Sequence, residues 1–569
     1  MTDPTRSRLA RVLTVAVVLL LCVSAILWNA PLRIRQAMAA VTGEEDLWQQ
    51  VRGMGAWLLL QAKPAPGTAP FTPMRHAGLS PYGINTFLEQ EADPEVVEHS
   101  LSLIASSGFG WIRQEFPWED IEIAGKGDFW DHRWNQSAWT KYDRIVELAN
   151  KHNIEIIARL DNPPAWSRAV GNAPGWTMAP PDDPDDYGDF VYAVVSRYRG
   201  RVRYYQIWNE PNIYPEWGDQ AVSPEAYTQL LQVAYRRAKE ADPDCVVIAA
   251  GLAQTTENGP RNLSDLVFLE RMYAAGARGS FDVMGAMVYG LWTGPLDRRT
   301  SADRTNFSRA QLLRAIMVAN GDADVPIWAT EVGWNALPED FAGRATYGRV
   351  SEERQALYAV QAYERASCQW PWMGVMNYWF FRRPSEAERD QAWYYFRMVE
   401  PDWRELPVHA ALQELALREP LVHLGYHQED HYALRYAGPW QAAPSERATF
   451  GELRRAEPGA ELSLRFYGTD VELVVPEEQQ RNALVYLDGR LVRRTGTGTA
   501  PVTGATTWRI ASRLTDGEHR LRLIVQQPLT LDGVIIRRRS PWPARLLPMA
   551  VAALAGLGCT GLLRRRSSS

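Results

Sequence analysis

Between residues 82 and 379, short apolar runs recur at intervals, separated by longer stretches whose apolar residues fall three and four apart. The short runs are 82–87, 111–116, 155–160, 204–208, 246–250, 283–288, 327–330 and 374–379. Runs of this length predict strands, while the spacing of Ile145, Val146, Leu148 and Ala149 predicts a helix covering one face of a sheet. Helix starts are marked at Asp93-Pro94, Ser223-Pro224 and Ser351-Glu352-Glu353, where a short polar side chain can accept from the free N–H groups of a first turn. Regular alternation of strand and helix demands a parallel sheet, and eight repeats predict a closed (β/α)8 barrel over 79–420.

After residue 417 the pattern changes. Runs such as 462–466, 471–475, 484–487 and 519–525 are split by Gly468-Thr469-Asp470, Asp488-Gly489 and Asp516-Gly517, with no helical spacing between them. This predicts an antiparallel β-sandwich over 430–540. At the ends, Arg6, Arg8 and Arg11 precede an apolar run at 12–28, and a second apolar run at 546–563 is followed by Arg564, Arg565 and Arg566. Each has nearly the length of a membrane span. Residues 1–30 are therefore expected to form a transmembrane anchor or a signal, 31–78 a juxtamembrane segment and linker, and 546–563 a C-terminal transmembrane helix. The flanking arginines would leave both termini cytoplasmic and place the rest outside, at the cell membrane.

Composition narrows the function. The chain has 569 residues, of which 46% are apolar and 22% charged, a globular balance with material for two or three domains. A net charge of -6 suggests no nucleic-acid partner. Four cysteines imply no disulfide framework, and the nine histidines form no ligand motif, so neither a metal nor a cofactor is expected. The 23 tryptophans suit a carbohydrate cleft, since flat sugar faces stack on aromatic rings, but they suit a large core as well.

Two stretches carry chemistry. In Tyr204-Tyr205-Gln206-Ile207-Trp208-Asn209-Glu210-Pro211, an apolar run delivers Glu210 to its end and Pro211 stops it from continuing as a central strand. In Ile327-Trp328-Ala329-Thr330-Glu331-Val332-Gly333-Trp334, a second run delivers Glu331 in the same way. By strand count these acids follow the fourth and seventh strands, at the rim where barrels carry their chemistry. Two carboxyl groups, one protonated and one ionised, are what a retaining glycosidase needs.

The Asn-Glu-Pro and Thr-Glu-x-Gly-Trp motifs resemble those of clan A glycoside hydrolases, nearest to family 39 or a family 5-like relative. The resemblance implies Glu210 as acid/base and Glu331 as nucleophile. It implies that Asn209 binds the sugar hydroxyl beside the reacting carbon and that Arg113 holds the nucleophile region. It also implies that Tyr289 hydrogen-bonds the nucleophile and that Trp379 floors the sugar subsite. Where the clan often has a histidine, this chain has Met287. The stretch Asp161-Asn162-Pro163-Pro164-Ala165-Trp166 resembles a loop of family 39 relatives, which makes Asp161 and Trp166 expected substrate contacts. Trp334, with Trp118, Trp217 and Trp292, falls just beyond a strand end and could build outer subsites; Glu115 and Glu119 are alternative acids. Residues 430–540 resemble accessory jelly-roll modules of glycosidases.

The expected activity is double-displacement hydrolysis of an extracellular or cell-envelope polysaccharide. A transglycosylase would use the same residues. A non-catalytic carbohydrate-binding or envelope-architecture protein on the same fold is the rival from another class, and retention of both acids argues against it.

Overall fold

The computed structural model describes residues 32–476, 482–494 and 507–539. Eight parallel strands form the central sheet: β1 (Tyr82–Thr86), β2 (Trp111–Glu115), β3 (Glu155–Leu160), β4 (Tyr204–Ile207), β5 (Val246–Ala249), β6 (Met284–Met287), β7 (Ile327–Val332) and β8 (Met373–Tyr378). Hydrogen bonding runs β5-β4-β3-β2-β1-β8-β7-β6, and parallel bridges from Ile248 to Val283 and from Leu252 to Ala286 close β5 onto β6. The result is a (β/α)8 barrel. Helices begin where the sequence marked them: Asp93, Ser223 and Ser351 each accept from a first-turn N–H with their side chains.

Alternation along each strand sorts its residues. In β2, Ile112 packs outward among the helix-facing core, whereas Trp111 joins an inward cluster with Ile157, Tyr204, Val246, Ile248, Val283, Trp328 and Val375. This layer fills the N-terminal half of the barrel, with Trp111, Tyr204 and Trp328 in mutual ring contact at 4.9–5.4 Å. Trp328 donates its indole N–H to the His76 carbonyl at 2.8 Å, tying the floor to the chain entering the barrel. Two residues beyond Trp111, Ile157, Tyr204, Trp328 and Val375, the inward positions become polar, as Arg113, Arg159, Gln206, Thr330 and Asn377. That change of character separates a packed floor from a reactive rim.

Residues 31–78, expected as a juxtamembrane segment and linker, include helices Leu32–Thr42 and Leu47–Leu60 packed beside the barrel. Arg299 joins them to the loop after β6, bonding the Thr42 carbonyl, Glu44 and Asp297. The expected terminal transmembrane helices need correction. Among the described residues, no helix is long and apolar enough to cross a membrane. The apolar runs that prompted the expectation, 12–28 and 546–563, lie outside the described residues.

Beyond residue 424, the described strands are antiparallel and form sheets of four, five and three strands around one apolar core. The strand Glu461–Gly468 alternates strictly between half-buried and buried positions, as a sandwich face requires. This sandwich attaches at the N-terminal end of the barrel: Tyr432 donates to the Gly78 carbonyl at 2.8 Å, and Gly425 lies against Pro371, just before β8. Glu210 and Glu331 lie at the opposite end.

The floor layer should matter for stability. Trp328→Ala would leave a cavity lined by Trp111, Tyr204 and Val375, and should cost about 3–5 kcal/mol in chemical denaturation. A cost below about 1 kcal/mol would show that the barrel collapses around the gap.

Candidate active site

The inward polar positions converge on Arg113. In β2 it lies two residues beyond Trp111, and its side chain is buried at the barrel axis. Its Nη1 donates to Asn85 Oδ1 of β1 at 2.7 Å and to Glu331 Oε1 of β7 at 2.9 Å. Its Nε donates to Gln206 Oε1 of β4 at 2.7 Å, and its Nη2 to Asn209 Oδ1 at 2.7 Å. One guanidinium thus ties three other strand systems together at the level where the acids emerge.

Glu331 reaches the interior only because β7 is irregular. Trp328 and Thr330 face inward, so regular alternation would send Glu331 out toward the helices. The pairing with β6 instead steps from Ala286↔Ala329 to Met287↔Glu331, a bulge that turns Glu331 inward as well. Its other oxygen, Oε2, accepts from the Tyr289 hydroxyl at 2.5 Å. Both carboxylate oxygens therefore have fixed donors.

A second irregularity ends β4. Tyr204 and Gln206 point inward, and Trp208 would follow, but Trp208 has a φ of 69° and packs outward, donating its indole N–H to the Glu216 carbonyl. Asn209 takes the inward place, and Glu210, with a φ of 40°, turns over the rim. Positive φ is uncommon for such side chains and has to be imposed by the surroundings. Here the Glu210 N–H donates to the Gly251 carbonyl at 3.1 Å. The Glu210 carboxyl is pushed well above the usual range by burial, then by the charges of Glu331 and Glu216, against the opposing pull of Arg113 and Arg159.

The remaining expected contacts divide. Trp379 follows β8 directly, half-buried, edge-on to Phe87 and Phe380. Trp166 is half-buried against Trp118 and donates to the Glu122 carbonyl. Trp334 is fully buried and cannot touch a substrate: it donates to the Thr293 carbonyl and packs against Phe307 and Tyr358. A Cβ on Gly290 would lie 2.1 Å from its ring, which shows how tightly this tryptophan is enclosed. Trp118 and Trp217 are buried too, while Trp292 is 63% exposed. Asp161 is 3% exposed and ion-paired through Oδ2 to Arg159 at 2.9 Å. Glu115 is held by Arg159 and Asn162, and Glu119 is exposed.

Sequence reading missed four participants. Asn85, Gln206 and Arg159 occupy inward positions on their strands, so period-two alternation carried a signal for them. Glu216 lies in the loop after β4 with no local pattern to single it out. Burial pushes its carboxyl up to about 7, with Arg159 and Asn209 opposing the rise and Glu115 and Glu331 adding to it. Among the described residues, no group of three or more His, Cys, Asp or Glu could hold a metal.

Glu216 gives the site a measurable pH signature. Its folded value of about 7 stands above the 4.5 expected of an unstructured chain. As pH rises, the unfolded state releases this proton first, so the contribution to stability is full below about 4.5 and is lost through about 7. The loss is bounded by ~3 kcal/mol. Glu216→Gln should therefore flatten the fall in thermal midpoint between about pH 5 and pH 8; an unchanged slope would show that Glu216 ionises freely.

No protein-family model matches the chain, and no curated protein does. Among solved structures, it is similar to a family 39 glycoside hydrolase from the gut symbiont Bacteroides cellulosilyticus WH2. Identity there is 16%, the TM-score is 0.44, and the match covers 80% of this chain and 82% of that one. It is similar to the GH39 enzyme from Xanthomonas axonopodis pv. citri at 16% identity and a TM-score of 0.44, covering 81% and 98% of the two chains. A GH5 protein from Streptomyces cattleya in complex with GlcNAc matches at 16% identity and a TM-score of 0.43, covering 60% and 80%. These neighbours are glycoside hydrolases of families 39 and 5, the families that the strand-end motifs resemble.

Proposed function

We propose that the protein is a retaining glycoside hydrolase acting on a polysaccharide, with Glu210 as acid/base and Glu331 as nucleophile. One observation carries this reading: two carboxyl groups at one rim are held in unlike surroundings. Glu331 is gripped by Arg113 and Tyr289, which fix its oxygens in place. Glu210 lacks a cationic partner among the described residues and keeps its proton, because burial and the charge of Glu331 raise it. Unlike surroundings of this kind suit opposite roles.

The reaction follows from those states. Glu210 gives its proton to the glycosidic oxygen as that bond breaks, while Glu331 bonds to the anomeric carbon and forms a glycosyl ester. Glu210, now ionised, takes a proton from water, whose oxygen attacks the same carbon and releases Glu331. Arg113 and Tyr289 donate to the carboxylate regenerated in that step. Two inversions leave the configuration retained. A polymeric substrate is supported by Trp134, Tyr214 and Trp292, exposed aromatics on the loops following β2, β4 and β6, where sugar rings can stack along the rim.

The two roles separate under mutation. Glu210→Ala should lower turnover of substrates with poor leaving groups by roughly 10²–10⁴-fold. With a dinitrophenyl glycoside it should still glycosylate itself, accumulate the covalent intermediate, and be rescued by azide to a product of retained configuration. Glu331→Ala should form no intermediate, and azide should give the inverted glycosyl azide. Inverted products from the unmutated enzyme would remove the covalent mechanism.

A further inference from the structure

The helix Leu47–Leu60, packed on the flank of the barrel, leaves much of its apolar surface turned to solvent. Its buried residues are Gln50 and Gly53, and Gln50 donates through its amide to the Glu44 carbonyl at 3.0 Å. A Cβ on Gly53 would lie 2.8 Å from Thr42 and 3.0 Å from Arg299, which shows how closely this inner face is applied. On the outer face, Trp48 is 62% exposed, Leu59 76% and Leu58 42%. Val51, Gly55 and Leu59 stand three, seven and eleven residues after Trp48, so they share one side of the helix, and Leu58 flanks them. A surface helix normally buries such a stripe; left outward, it marks an interaction surface.

Charge around the stripe is sorted by sign. The acids of this segment are held against the barrel: Glu44 pairs with Arg299 at 2.6 Å, and Glu45 pairs with Arg354 at 2.8 Å and accepts from the Tyr358 hydroxyl at 2.6 Å. Asp46 caps the helix by accepting from the Gln49 N–H. The bases point the other way. Arg52 stands within the stripe, four residues after Trp48, Arg35 lies on the preceding helix, and Lys63 follows the C-terminal end; all three are exposed. None of them has an ion pair among the described residues, although Asp303 lies within electrostatic range of Lys63. The apolar run 12–28, outside the described residues, is separated from the helix Leu32–Thr42 by three residues.

We infer that this flank of the barrel rests on an anionic lipid surface, with Trp48, Leu58 and Leu59 entering the boundary between headgroups and acyl chains and Arg35, Arg52 and Lys63 meeting lipid phosphates. Long basic side chains beside an apolar stripe can bury their stems while their charged ends stay among the headgroups. A tryptophan has the same mixed character, an apolar body with one N–H to leave in a wet layer. Together these are the features of a helix that lies in the plane of a membrane surface, which needs no spanning segment. The apolar run so close in sequence favours lipid over a second protein as the occupant. The inference is independent of the catalytic reading, since it concerns where the barrel is held and not what it cleaves.

The test places a local reporter on the stripe, so that attachment by any other part of the chain does not count. In the full chain carrying Cys22→Ala, Cys368→Ala and Cys559→Ala, an environment-sensitive fluorophore is attached at Leu59→Cys or, as a control on the sandwich, at Leu491→Cys. Vesicles of equal parts phosphatidylcholine and phosphatidylglycerol should shift the Leu59 label to shorter wavelength, and lipids brominated in their acyl chains should quench it. The Leu491 label should do neither. The response should be weaker on phosphatidylcholine alone and should fall with added salt. Arg52→Gln should lower the ratio of immersed to free label roughly fivefold, the worth of one basic residue near an anionic surface. A Leu59 label that vesicles leave unchanged, even while the chain sediments with them, would overturn the inference, as would an equal response to phosphatidylcholine alone. A label already in apolar surroundings without lipid would overturn it too: independence of protein concentration would mean that residues 12–28 cover the stripe, and dependence on concentration that a second copy does.

Discussion

A single buried guanidinium holds the reactive end of this barrel in order. Arg113 has no access to water, so each of its N–H groups that lacked a partner would be costly. It meets that demand with Asn85, Gln206, Asn209 and Glu331, drawn from β1, β4, the end of β4, and β7. The positions of the acids follow from this constraint. Asn209 must point inward to be bonded, which obliges Trp208 to turn out and leaves Glu210 at the rim; Glu331 must point inward to pair, which the bulge in β7 permits. Removing the partner would leave a charge buried alone, a cost of about 3–5 kcal/mol in typical cases. The site is coupled to the stability of the barrel through that one residue.

The same residue explains why the two acids differ. Coulomb interactions across a dry cleft are strong, so a cation bonded to one carboxylate leaves the neighbouring one to face a net negative field. Arg113 touches Glu331 and not Glu210. Burial and the charge of Glu331 raise Glu210, which accordingly keeps its proton, and burial likewise raises Glu216 against the opposing pull of Arg159. The raised positions of Glu210 and Glu216 come first from burial and then from where the neighbouring charges stand.

Most of the architecture was legible in the sequence because it depends on local pattern. Eight apolar runs with helical spacing between them leave few alternatives to a parallel barrel, and the caps at Asp93, Ser223 and Ser351 mark their helices through contacts only a few residues long. Glu210 and Glu331 could be read because each stands where a strand is cut off by proline or glycine. Inward residues such as Asn85, Gln206 and Arg159 were accessible in principle through period-two alternation. Trp334 misled because strand-end position says nothing of direction: a ring beyond β7 can turn into the cleft or back under the loop after β6, and the close contact with Gly290 decides it. Glu216 was invisible because its importance comes from Asn209, Glu115 and Glu331 together, a tertiary field with no trace in its own neighbourhood.

The two ends of the barrel divide its tasks, and alternation makes the division possible. Along β2, Trp111 belongs to the aromatic floor, Arg113 to the polar middle and Glu115 to the cleft, each two residues apart. The floor is bonded to His76 and adjoins the segment that meets the sandwich, so the appended sheets bear on the end of the barrel that is dense and unreactive. A module attached at the rim would cover the exposed Trp134, Tyr214 and Trp292. Attachment at the floor leaves those rings uncovered, and confines any influence of the sandwich on catalysis to the stability it lends the strands from below.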